Sequence, residues 1–177
     1  SNLTGQTEYS LTFAKETVCD ILIVGGGGGG GNFGGGGGGG GVLFAEKLKL
    51  SGNNIIKVGK GGIGDTTTTA NGENGKSSLI EINSIEYTAI GGGGGGTRVY
   101  ETDWDGVVGN HKYVGLGGND GGSGGGGAQS DIVADRNVGG NSIVQTYTGW
   151  NSYGNIGGYG SDAASESPTN TYAWKAA

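Results

Sequence analysis

Residues 21–44 read Ile-Leu-Ile-Val, then seven glycines (Gly25–Gly31), Asn32-Phe33, eight more glycines (Gly34–Gly41), and Val-Leu-Phe. Glycine tracts of this length carry no side chains to bury, and ordering their backbone costs more entropy than for any other residue. The only groups able to hold them are their own N–H and C=O, each of which needs a partner when buried. An α-helix is unfavourable, since glycine is about 1 kcal/mol per residue worse than alanine there. Polyproline-II geometry remains, with three residues per turn and every amide directed outward to a neighbour. Chains without Cβ atoms approach closely, so polyglycine-II helices lying side by side exchange N–H···O bonds laterally, supplemented by Cα–H···O contacts. The near-equal tracts about Asn32-Phe33 fit an antiparallel pair joined by a tight turn, the eight-residue tract spanning about 25 Å.

Working outward, Gly91–Gly96 is a third tract and residues 115–127 a broken fourth, within a total of 47 glycines in 177 residues. Hydrophobic residues make up 32% and charged residues 15%, too few for a conventional large core. A formal net charge of −6 disfavours nucleic acid and anionic membrane surfaces as partners. The longest apolar run before a glycine tract, Ile21–Val24, falls far short of a membrane span, so no membrane insertion is expected. Ser1 in place of an initiator Met is as expected of a processed or trimmed product without a signal peptide. Cys19 is the single cysteine and is expected to be buried in a strand, an intermolecular bridge being the other reading. Asn2-Leu3-Thr4 is a glycosylation sequon, meaningful only in a secreted eukaryotic chain.

Between the tracts the pattern is that of strands. Residues 8–14 alternate, with Tyr9, Leu11 and Phe13 on one expected buried face, and residues 18–24 turn continuously apolar after Asp20. Residues 42–50 alternate again, with Phe44, Leu48 and Leu50 opposite Lys47 and Lys49. Ser51-Gly52-Asn53-Asn54 is a turn signal, predicting a hairpin with Ile55–Val58. Residues 79–82 and 86–90 form a second pair about Asn83-Ser84, and Arg98-Val99-Tyr100 and Tyr113-Val114 read as short strands. No segment shows sustained helical periodicity.

The expected fold is therefore mainly β plus polyglycine-II: a sandwich- or jelly-roll-like β-layer packed with a bundle of glycine helices, as one domain over residues 1–177. Residues 8–90 form the strand-rich part, and residues 161–177 an extended tail. The structural glycines are Gly25, Gly28, Gly31, Gly34, Gly37, Gly41, Gly91, Gly96, Gly121 and Gly127.

Three patterns imitate enzyme motifs. Ile21–Val24 before glycines resembles a dinucleotide-binding fingerprint, but that chemistry requires a helix directly after the glycines, and these tracts cannot form one. Ala70-Asn71-Gly72-Glu73-Asn74-Gly75-Lys76-Ser77 follows a loose phosphate-loop pattern with Ala70 in place of its first glycine, yet a polar run precedes it and strands follow, so a glycine-rich surface turn is the better account. His111 is the sole histidine, which precludes a multi-histidine zinc site, and Asp103-Trp104-Asp105-Gly106 lacks the further ligands of a calcium loop. No catalytic residue, cofactor or metal is expected.

The order Tyr9–Phe13, Asp20–Val24 into a glycine run, Val42–Phe44, Ile55–Gly59, Asn74–Ser78 and Thr88–Ile90 into a second run resembles the glycine-rich domain of phage tail-fibre and of giant and algal virus proteins. The likeness covers residues 8–96 closely and 115–160 loosely; the chain lacks a final glycine block after Gly160. Weaker kinship exists to phage tail-tip adhesins and to the glycine-rich domains of leukocyte and anaplastic lymphoma receptor kinases. The resemblance implies a non-enzymatic structural or adhesive module, extracellular or on a virion surface. Its first expected partner is another copy of itself in a homo-oligomer or filament, with Ser1–Gln6 and Ser161–Ala177 as bridging arms and Trp174 as an anchor. Its second is a host receptor or glycan held by Trp104, Tyr113, Trp150, Tyr153, Tyr159 and Trp174, of which Trp150, Tyr153 and Tyr159 alternatively cover a small core. Ice binding is a lesser alternative, as the regular repeats of polyglycine-II antifreeze proteins are missing.

Overall fold

The computed structural model describes residues 5–67, 69–100, 113–130 and 137–161. Its strands, in chain order, are β1 (Gln6–Val24), β2 (Val42–Gly59), β3 (Ser78–Ile82), β4 (Ile85–Ala89), β5 (Arg98–Tyr100), β6 (Tyr113–Gly115) and β7 (Asn151–Tyr153), and no α-helix occurs among the described residues. The main sheet runs β1-β2-β3-β4 with β7 also pairing β2, and β5 and β6 form a separate pair. All of these pairings are antiparallel.

The turn anticipated at Ser51–Asn54 does not form. Instead β2 continues through it, pairing Gly52 with Phe13 and Asn54 with Leu11. The left-handed backbone that the sequence signals is present, with Gly52 at φ 60°, but it accompanies a bulge, where Ala14, Lys15 and Glu16 of β1 stand against Ser51 between the Phe13 and Thr17 pairs. β1 is correspondingly a single strand of 19 residues, and Tyr9 and Leu11 are 56% and 43% exposed rather than buried. A second irregularity between Cys19 and Ile21 places Lys47 at φ 55°, its N–H donating to Asp20 Oδ1 at 2.9 Å. It resets the alternation of β2, so that Leu43 and Ala45 enter the core and Phe44 stays half-buried on the other face. Cys19 is a half-buried free thiol in β1.

The β3–β4 hairpin forms as expected, with Asn83 and Ser84 at φ 50° and 63°, the mirror-image geometry that two-residue hairpin turns need. The expected short strands at Arg98–Tyr100 and Tyr113 also form, as β5 and β6. The apolar core joins Ile23, Leu43, Ala45, Ile80, Ala89 and Trp150. Trp150 stacks on Tyr87 at 4.8 Å between ring centroids, and Tyr147 meets Tyr87 edge-on at 5.1 Å. Such ring pairs add about 0.5–1.5 kcal/mol each beyond the area they bury.

The glycine tracts leave the sheet at Val24 and Val42. Gly25, Gly28 and Gly31 donate to the carbonyls of Gly41, Gly38 and Gly35, so the two tracts lie antiparallel about Asn32-Phe33. Gly26 and Gly29 donate instead to Lys76 and Glu73, while the carbonyls of Gly27 and Gly30 accept from Gly62 and Asp65. Each third residue thus faces a different neighbour.

Candidate functional site

The chain converges on Gly91–Thr97, every residue of which is buried. Gly92 and Gly95 donate to Gly26 and Gly29, and Gly93 and Gly96 donate to Ser123 and Gly126. Their carbonyls accept from Gly75, Gly72, Gly38 and Gly35, and those of Gly91, Gly94 and Thr97 accept from Gly122, Asn119 and Leu116. The remaining N–H groups, of Gly91, Gly94 and Thr97, find Ser77 Oγ, Asn74 Oδ1 and Asn71 Oδ1 at 3.4, 2.9 and 3.1 Å. All backbone groups of this buried segment are therefore satisfied, which removes the desolvation cost of about 1–3 kcal/mol that each orphan would carry.

Close approach explains why these positions are glycine. A Cβ on Gly28 would lie 2.1 Å from Gly93 O, one on Gly31 2.0 Å from Gly96 O, and one on Gly37 2.1 Å from Gly28 O. The hydrogen now in that direction points at the same carbonyl, the arrangement of a Cα–H···O contact. By contrast, a Cβ on Gly36 or Gly39 would meet nothing within 4 Å, and one on Gly27 or Gly30 only an atom at 3.7 Å. One residue in three faces outward.

Further segments, not anticipated from the sequence, bond laterally to these tracts. Lys60–Asp65 bonds the first tract through Gly62 and Asp65, with Ile63 exposed. Asn71–Ser77, expected to be a surface turn, bonds laterally to its neighbours instead, the N–H groups of Gly72, Glu73, Gly75 and Lys76 all donating to carbonyls within the chain. Those four N–H groups are thereby taken up and do not face a phosphate. Asn71 Nδ2 bonds Gly117 O at 2.7 Å and Asn119 Oδ1 at 2.8 Å, while Asn119 Nδ2 reaches Asn74 Oδ1 at 3.0 Å. These amides tie neighbouring segments together where backbone partners are missing. Residues 115–127 fold back on themselves, with Gly125 and Ala128 donating to Asn119 and Leu116, so Gly121 lies at a reversal and Gly127 in the returning segment, which bonds Gly158.

Of the aromatic residues expected at a contact surface, Trp150 is a core residue at 9% exposure. Tyr153, Ile156 and Tyr159 form an outward row, exposed by 55%, 69% and 74%, because the intervening Gly154, Gly157 and Gly160 would each drive a Cβ to within 1.9 Å of Gly122, Gly125 and Ala128 carbonyls. Tyr113 pairs with Tyr100 in the small sheet. Trp104, His111 and Trp174 lie outside the described residues, as do the arms except Gly5, Gln6 and Ser161.

Charged chemistry is sparse. Asp65 accepts from the Thr67 hydroxyl at 2.7 Å and the Thr67 N–H at 3.0 Å, bonds that favour the ionised form and hold its pKa below the usual carboxylate value. Glu16 accepts from Lys49 at 2.9 Å and raises the lysine's pKa, in an exposed pair of little energetic consequence. Among the described residues no group of His, Cys, Asp and Glu could hold a metal ion, and no helix is long and apolar enough to cross a membrane. A shallow, open depression is lined by Ser51, Gly52, Asn53, Ile55, Glu81, Asn83 and Ser84.

The family described as a glycine-rich domain matches residues 3–175. No curated protein and no solved structure matches the chain.

Proposed function

The chain belongs to the glycine-rich domain family, and from that premise we propose that it is a non-enzymatic structural subunit of an extracellular filament or virion-surface fibre, folded as one domain whose glycine segments are polyglycine-II helices. The observation that carries this reading is Gly91–Thr97, a buried segment whose every N–H and C=O is bonded to a neighbour. Material of this kind derives cohesion from backbone rather than from an apolar core, and suits a load-bearing element more than a catalyst. The recurrence of bonding partners at every third residue supports the polyglycine-II assignment, since that helix has three residues per turn. The outer edge of β1, with which no strand pairs among the described residues, supports self-association. Negative-stain electron microscopy of the concentrated protein, and of the native material, tests the reading. Regular fibres or repeating oligomers are expected, and monodisperse single particles at all concentrations would refute it.

A second reading, a receptor-binding adhesin, is favoured by the exposed row Tyr153, Ile156 and Tyr159. Aromatic rings carried on a rigid bundle suit contact with a glycan or receptor, as they add contact area at low entropic cost. Loss of cell or glycan binding on Tyr159→Ala, with the fold intact, would favour it over the fibre.

A further inference from the structure

The two edges of the main sheet differ. At β4 the Thr88 N–H is occupied by Tyr147 Oη at 3.1 Å, whereas among the described residues no strand pairs with the outer edge of β1. The regular part of that edge is short. It ends at Phe13, where Ala14, Lys15 and Glu16 bulge out of register with β2, a device that stops a neighbouring strand from extending further. Within Thr7–Phe13 the Leu11 carbonyl accepts from Asn54 Nδ2 across the pair with β2. Since N–H and C=O of one residue in a strand point the same way and alternate along it, the groups of Glu8, Ser10 and Thr12 face outward.

We propose that Thr7–Phe13 is a subunit contact in which a second copy of this chain adds its own Thr7–Phe13 antiparallel, across a two-fold axis at Ser10. This rests on the self-association reading above and specifies where and how it occurs. An axis perpendicular to the sheet pairs only residues on one face, so the register is limited to a few choices. The axis at Ser10 makes Ser10 pair with its own copy and Glu8 with Thr12, all through the outward backbone groups. It also sets Tyr9 opposite Leu11 twice. These two side chains are the large apolar ones left exposed on this run, and non-hydrogen-bonded pairs bring side chains closest. No like charges oppose one another, because Glu8 is the one charged residue in the run. Serine and threonine hydroxyls on the other face are already held by Asn53, which receives both Ser10 and Thr12. Such a contact is isologous and closes on itself, so it makes pairs, and a filament requires a further, different contact.

The test uses the whole 177-residue chain in 150 mM salt, with sedimentation equilibrium and amide hydrogen exchange. The wild type is expected to dimerise, with Glu8, Ser10 and Thr12 amides protected in the dimer and exchanging freely on dilution. The double variant Tyr9→Lys with Leu11→Lys opposes like charges twice and is expected to weaken dimerisation by roughly tenfold or more. Tyr9→Lys with Leu11→Glu opposes unlike charges in the same register and is expected to restore it. All substituted positions are exposed, and an unchanged melting temperature confirms the fold. If the protein associates but the charge series has no effect, or the three amides are protected even in the monomer, the β1 contact is wrong while self-association stands. A chain that stays monomeric throughout overturns both.

Discussion

Replacing Gly28 and Gly36 by alanine, one at a time, separates close packing from the general dislike of ordered glycine. At Gly28 the new Cβ would sit 2.1 Å from Gly93 O, 2.5 Å from Gly93 C and 3.0 Å from Gly92 O, all backbone atoms of the buried central segment. That segment cannot retreat freely, because Gly92 and Gly95 bond Gly26 and Gly29 on either side of the clash. Overpacking costs about 1–3 kcal/mol, and weakening one or two of the flanking bonds adds about 0.5–1.5 kcal/mol each. The expected loss for Gly28→Ala is thus about 1.5–6 kcal/mol, a fall in melting temperature on the order of 10 °C for a domain of this size. At Gly36 nothing lies within 4 Å of the new Cβ and φ is not in the left-handed region, so the substitution meets no clash. Gly36→Ala is expected to be neutral or to stabilise by about 0.4–1 kcal/mol through the smaller entropy of the unfolded chain. Urea titrations followed by circular dichroism measure both. Equal effects at the two positions, or a silent Gly28→Ala, would refute the packing argument.

Asn71→Ala removes the acceptor of the buried Thr97 N–H and is expected to destabilise by about 1–3 kcal/mol in the same titrations. Trp150→Ala empties the core beside Tyr87 and is expected to cost about 3–5 kcal/mol, read from the urea midpoint. The pKa of Asp65 is lowered in the folded chain, so its contribution is present above the ordinary 3.8 and is lost as pH falls from there through the folded value. Asp65→Asn is accordingly expected to flatten the dependence of the urea midpoint on pH below about 4 and to leave its slope unchanged near neutrality.

The first glycine hairpin and the β3–β4 hairpin were legible because each is dictated locally: uninterrupted glycine admits few ordered geometries, and Asn83-Ser84 accept positive φ. The continuity of β2 was not, because Gly52 offers the same left-handed backbone to a turn and to a bulge, and only pairing with the distant β1 decides between them. The lateral bonding of Asn71–Ser77 and Tyr153–Gly160 was not legible for a different reason. Their exposed positions carry Glu73, Ile156 or Tyr159, so the close-packed glycines recur every third residue instead of forming runs. Among the proposed contact residues, Tyr159 could be separated from the buried Trp150 by that register alone, since it lies between Gly157 and Gly160, which must face inward; Tyr153 has such a glycine, Gly154, only after it.

Residue-resolved amide hydrogen exchange of the intact chain tests most directly whether the glycine segments form a laterally bonded bundle. The account predicts strong protection at Gly92, Gly93, Gly95 and Gly96, whose N–H groups are all bonded and buried, and protection at Gly25, Gly28 and Gly31 but not at the outward Gly27 and Gly30. Fast exchange throughout the tracts, or protection alternating every second residue as in a strand, would contradict it.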